Sequence, residues 1–215
     1  DVSLIQGDPK LTSQSVVGGV PIRIPMIDIH TVGAGGGSIA YVDAGGALKV
    51  GPKSAGADPG PACYGLGGDY PTVTDANIVL GRIRPEHFLG GKMNIDETRA
   101  DNVLTQLAKR AKLAKRTALT IAQSAALGIV EVTNAHMERA LRLISVQRGY
   151  DPRDFTLVAF GGAGGLHVCE LARDLGIGQV IVPRRASTMS ALGMIGADVI
   201  KDYVRTVMLP EDTLY

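Results

Sequence analysis

A chain of 215 residues has room for one large domain or two small ones. Hydrophobic residues make up 45% and charged residues 20%, which supports a sizeable core and excludes wholesale disorder. Lys plus Arg number 22 against 21 Asp plus Glu, a net charge of +1, so nothing in the balance favours a nucleic-acid or anionic-membrane surface.

The opening Asp1-Val2-Ser3-Leu4-Ile5 reads as a strand already under way, and so as part of a longer protein. Up to residue 50, short runs rich in β-branched residues predict strands over 2–5, 20–24, 26–29, 38–42 and 47–50. Asp43-Ala44-Gly45-Gly46 joins the last two as a hairpin turn. Residues 51–71 carry Pro52, Pro59, Pro61 and Pro71 among many glycines and read as a long loop, ordered or disordered. Asp75 is the expected N-cap of a helix over 76–80. Asp96 caps a second, in which Ala100, Val103, Leu104, Leu107, Ala108 and Ala111 recur at helical spacing. The basic run Lys109, Arg110, Lys112, Lys115 and Arg116 suits the end of that helix and reads as a solvated face.

Residues 117–148 predict one long helix stopped by Gly149. A strand over 156–160, a glycine loop, a helix over 166–175 with Gly176 at its C-terminus, and a strand over 179–182 make a βαβ unit with a parallel pair. A helix over 187–199 and a strand over 203–208 follow. The expected class is α/β, with a β-rich segment over 1–95 and a helical plus βαβ lobe over 96–215.

Two cysteines, Cys63 and Cys169, make no disulfide framework in a chain of this length. With no apolar run of about 18 residues and no basic-then-apolar leader, a reduced, cytoplasmic setting is expected. Cys169 falls within a predicted helix and reads as core. Cys63 reads either as a small apolar loop residue or as a nucleophile, for which His30 is the candidate base.

Two glycine-dense loops each follow a predicted strand: Gly33, Ala34, Gly35, Gly36, Gly37, Ser38, and Gly161, Gly162, Ala163, Gly164, Gly165. Glycine permits positive φ and close approach of an anion to main-chain N–H groups. The second loop opens a helix, whose N-terminus favours phosphate. It departs from a dinucleotide fingerprint. His167 replaces the third glycine, and Arg184 and Arg185 stand where an acidic residue is expected, leaving only an NADP reading. The alternative is a tight turn needing glycine for packing alone. The first loop lacks a Walker ending and reads as an anion nest, with Ser38 or Thr31 adding a hydroxyl, or as a flexible turn. His167 reads as a ligand contact or a satisfied core residue, neutral in either case because the positive helix end opposes protonation. Asp28 and His30, at i and i+2 on a strand, would point the same way as metal ligands, as a base with its orienting acid, or as a hydrogen-bonded pair. His87 and His136 read as structural or surface residues.

Together these residues resemble the A-type subunit of the ATP-dependent hydantoinase/5-oxoprolinase family, which includes the matching subunits of acetone and acetophenone carboxylases. The resemblance rests on Asp28-Ile-His-Thr-Val-Gly-Ala-Gly-Gly-Gly-Ser38, Ser54-Ala-Gly-Ala-Asp-Pro-Gly-Pro-Ala-Cys-Tyr-Gly65, Thr72-Val-Thr-Asp-Ala-Asn77, Phe88-Leu-Gly-Gly91 and Phe160-Gly-Gly-Ala-Gly-Gly-Leu-His167. It implies an actin, Hsp70 and sugar-kinase type of ATPase fold, with the loop at Gly161 on the adenosine side and two phosphate loops upstream of Asp1. It further implies ATP and Mg2+ as cofactors and a small cyclic amide (hydantoin, 5-oxoproline or similar) or ketone as substrate. A B-type partner subunit, an oligomer, and catalytic roles for Asp28 and His30 complete the expectation. The isolated fragment would be inactive. A non-catalytic nucleotide-binding module and an NADP-dependent oxidoreductase are the alternatives.

Overall fold

The computed structural model describes residues 1–203 apart from Gln14, Gly18, Ile200 and Asp202. The strand expected over 203–208 lies outside the described residues, Tyr203 apart. Near the start, six short strands form three antiparallel pairs. β1 (Ile5–Gln6) pairs with β2 (Asp8–Pro9), β3 (Leu11–Thr12) with β6 (Met26–Ile27), and β4 (Ser15–Val17) with β5 (Val20–Ile22). They are shorter than the β-branched runs predict. Gly7, at φ +76°, reverses the chain directly after Gln6, and Ile5, Leu11, Val20 and Ile27 are exposed, while Thr12, Ile22 and Met26 are half-buried.

The predicted hairpin forms as β7 (Ser38–Val42) and β8 (Leu48–Ser54). The Asp43 carboxylate holds its turn by accepting from the N–H groups of Gly45 (3.0 Å) and Ala47 (2.9 Å). β8 runs on into the expected loop through a bulge that sets Gly51, Pro52 and Lys53 against Ile39 alone. The remaining loop is ordered and includes a 3-10 turn at Ala62–Tyr64.

α1 (Val73–Val79) is capped by Thr72, not Asp75. Asp75 sits three residues in and completes a capping box, its Oδ2 accepting from the Thr72 N–H at 2.9 Å. That carboxyl group also accepts from the N–H groups of Ala62 and Cys63, a demand no local pattern announces. α2 (Glu97–Arg110) is capped by Asp96 as expected. α3 (Ile121–Ile144) starts later than predicted, because Ala118 lies at φ +64° and Thr120 forms a capping box with Gln123. A 3-10 turn then carries the chain to Gly149 at φ +81°.

β9 (Leu157–Val158) and β10 (Val180–Ile181) are parallel, joined through α4 (Val168–Leu175), with Gly176 left-handed at its end. The last helix, α5, is confined to Met189–Gly196. The main core gathers Ala40 and Val50 of the hairpin, Val73 and Ala76 of α1, Leu104 of α2, and Ala125, Ile129 and Val130 of α3. It therefore draws on both sides of residue 95. α3 packs against α1, α2, β8 and α4, and its small residues allow the close approach that brings the two glycine loops together.

Candidate functional site

The first glycine loop is closed on itself. The Ser38 N–H donates to the Gly35 carbonyl at 3.0 Å, and the Gly35 N–H to Ser38 Oγ at 3.0 Å. The loop is also pinned to the first turn of α1, because the Thr74 N–H (2.8 Å) and hydroxyl (2.9 Å) both donate to the Gly36 carbonyl. A Cβ at Gly36 would stand 2.8 Å from Thr74 Oγ1, and one at Gly37 2.7 Å from the Oγ of exposed Ser54, so a side chain at either must displace a hydroxyl. In the second loop, Gly161 takes φ +91° and donates to the Ala186 carbonyl. A 3-10 turn at Gly164–Leu166 then leads into α4.

The two loops face one cavity of about 870 Å³, lined by Gly35, Gly36, Gly37, Gly162, Ala163 and Gly164 and backed by Met137 and Leu141 of α3. That volume lies within the range of small-molecule sites. The Ala163 methyl is 3.7 Å from where a Gly36 Cβ would be, so the loops abut. Among the described residues, the N–H groups of Gly36, Gly37, Gly162, Ala163 and Gly164 meet no acceptor. Unpaired main-chain donors from two directions make a surface suited to an anion.

Gly161, Gly165, Ser38 and His167 do not line this cavity. His167 is wholly buried, and its Nδ1 lies 2.7 Å from Asn134 Oδ1. Asn134 Nδ2 donates to Glu170, whose other oxygen accepts from Arg82 Nη2 at 2.6 Å. Since the Asn134 oxygen can only accept, the proton of a neutral His167 sits on Nδ1, and Nε2 is left with no partner among the described residues. Burial chiefly, and the Arg82 charge secondarily, lower the His167 pKa, with Glu170 opposing. The neutral ring expected at the helix start is thus favoured first by burial. Folded His167 resists protonation below its ordinary value of 6.5 while the unfolded chain does not, so this group makes stability fall as pH drops through that value. His167→Gln should therefore flatten the pH dependence of the urea midpoint between about pH 7 and 5, and an unchanged slope would count against this account.

Asp28 and His30 are not joined. The segment at Asp28 is not a strand, so the same-side argument has no pleat to act on. Asp28 instead forms an ion pair with Arg148, while the backbone of His30 makes an isolated bridge with Val2. His30 faces a separate pocket. Cys63 is fully buried, and burial together with the nearby Asp75 pushes its thiol far above the usual range. It is an inert, small apolar residue rather than a nucleophile. Cys169 is exposed, not core, as are His87 and His136. Among the described residues no three His, Cys, Asp or Glu side chains converge as a metal cage. Sequence reasoning missed Thr74 and the Arg82–Glu170–Asn134–His167 relay. The available signal was Asn134, a polar residue among the apolar positions of α3.

The hydantoinase/oxoprolinase family model matches residues 1–203. The caprolactamase alpha subunit of Pseudomonas jessenii is 44% identical over 191 residues, covering 89% of this chain and 27% of that subunit. The crystal structure of ATP-dependent caprolactamase from the same organism superposes with a TM-score of 0.73 at 44% identity, covering 86% of this chain and 26% of that one. A nucleotide-free acetone carboxylase superposes with a TM-score of 0.79 at 31% identity, covering 90% and 26%. The chain spans about a quarter of each of these proteins. With a family model matched over nearly its whole length, on an α/β fold shared with these enzymes, the chain belongs to the hydantoinase/oxoprolinase family.

Proposed function

We propose that this chain forms one wall of an ATP site in a protein that uses ATP to activate a small cyclic amide or a ketone. The observation that carries the reading is that residues of both glycine loops with unpaired N–H groups line one cavity. In an actin, Hsp70 and sugar-kinase type of arrangement, the loop at Gly161–Gly165 serves the adenosine side, and Gly35, Gly36 and Gly37 meet an anionic part of the nucleotide or substrate. When bound, ATP supplies a phosphoryl group that renders an unreactive carbonyl susceptible to attack. This chain's own residues do the holding. Thr74 fixes the first loop, Ala186 anchors the second at Gly161, and Met137 and Leu141 give an apolar backing. Mg2+ would arrive with the nucleotide and offset the charge of its phosphates. The ATP-dependent caprolactamase and acetone carboxylation support ATP dependence here, and the caprolactamase alpha subunit supports a partner subunit, which we read as B-type within an oligomer. A cytoplasmic setting fits this chemistry.

Calorimetry on the chain with ATP, ADP and NADP tests the site, expecting adenine nucleotides without a nicotinamide preference. Tight NADP binding would sink the reading. For the activity, a longer protein carrying this sequence, together with its partner, should turn over ATP faster when given a lactam, imide or ketone. Nucleotide binding with no such stimulation would leave a non-catalytic module.

A further inference from the structure

We propose that a second pocket, across the segment at residues 30–33 from the glycine cavity, binds a small carboxylate. It encloses about 420 Å³, enough for a compact organic anion but about half the first cavity. Three parts of the fold build it. His30 and Thr31 come from the approach to the first glycine loop, Tyr41 and Lys49 from the hairpin, and His136 and Arg139 from one face of α3. Val32 lines both cavities, and α3 serves both, turning Met137 and Leu141 to the first and His136 and Arg139 to the second. The floor is tightly fitted. Gly51 takes φ +69°, and a Cβ there would lie 2.6 Å from the Gly33 carbonyl oxygen.

Charge sets the ligand class. The lining holds His30, Lys49, His136 and Arg139 and no Asp or Glu. Nearby acids are already committed: Asp28 to Arg148, Glu138 to Arg142, and Asp43 lies 3.8 Å from Lys49. Among the described residues the side chains of His30, His136 and Arg139 have no partner. Lys49 is partly compensated, so among the described residues Arg139 is the permanent cation of this lining without a counter-ion. One such charge matches a monoanion better than a phosphate dianion. The planar fork of the guanidinium fits a carboxylate in a two-point contact. Each imidazole offers an N–H donor whether neutral or charged. Val50 and Leu143 give the body of the ligand an apolar wall. This rests on side chains the ATP reading does not use, so either can fail alone.

The test is NMR titration of the whole 215-residue chain at constant ionic strength, with sodium acetate, inorganic phosphate and sodium chloride as separate arms. Acetate should produce saturable shifts at His30, Thr31, Gly33 and His136 while the amides of Gly36 and Gly162 stay still. Arg139→Gln should raise the acetate Kd at least about tenfold, since a charge-assisted hydrogen bond is lost, and Arg139→Lys should restore part of it. Because Arg139 is exposed and unpartnered among the described residues, neither variant should move the melting midpoint. Saturation by phosphate alone, an equal response to chloride, or an unchanged acetate affinity in Arg139→Gln would each overturn the proposal.

Discussion

Asp75→Ala should be the most damaging polar substitution in the chain, lowering stability by about 3–5 kcal/mol in urea unfolding. Asp75 has no exposed surface, and its carboxyl group accepts four hydrogen bonds. Oδ1 takes the Cys63 N–H at 2.8 Å. Oδ2 takes the Ala62 N–H at 3.3 Å, the Thr72 N–H at 2.9 Å and the Thr72 hydroxyl at 2.8 Å. Alanine would strand these donors where water does not reach, and each buried orphan costs roughly 1–3 kcal/mol. Asp75→Asn keeps the shape but turns an NH2 group toward other donors, so it should recover only part of the loss. Thr72→Ala, which removes one cap, should cost about 1 kcal/mol. If Asp75→Ala cost no more than Thr72→Ala, the carboxyl group would not be the tie between the ordered loop and α1.

The same residue shows why some of this fold was legible in the sequence and some was not. Asp96 and Gly176 act on their own helices, through contacts a few residues long, and the structure finds them where spacing puts them, whereas Gly149 closes a short 3-10 turn, because the long helix ends at Ile144 and not at Arg148. Asp75 lies on the expected helix but serves as the third residue of a capping box, not as the N-cap. The first-turn signal and the Thr72 donors are local, but the other two donors to its carboxyl group lie 12 and 13 residues back. Both glycine loops could be read from composition and flanking strands. Their meeting in one cavity could not, because α3 sets it by packing against α1 and α4. Asp28 illustrates the limit more sharply. Its partner Arg148 is 120 residues away, and only the folded chain shows that His30 instead lines a pocket shared with His136 and Arg139. The short strands near the start mark a different gap. β-branched composition announces extended chain, but strand length depends on a fully buried face, and here Ile5, Val20 and Ile27 stay exposed.

Gly36 and Gly162 separate glycine kept for packing from glycine kept for a ligand. At Gly162 a Cβ would meet nothing within 4 Å, and the residue lines the cavity. Gly162→Val should therefore leave the melting midpoint unchanged while its branched side chain blocks access to the N–H row. ATP affinity should then fall at least about tenfold, or about 1.4 kcal/mol. At Gly36 the added carbon would stand 2.8 Å from Thr74 Oγ1, a hydroxyl already bonded to the Gly36 carbonyl and 7% exposed as a residue. Gly36→Ala must displace that contact, and overpacking of this kind costs about 1–3 kcal/mol. The expected result is thus a crossed one: stability lost at Gly36, nucleotide lost at Gly162. If Gly162→Val instead destabilised the chain and left ATP binding intact, the second loop would be a packing turn and the anion surface would have to be sought elsewhere.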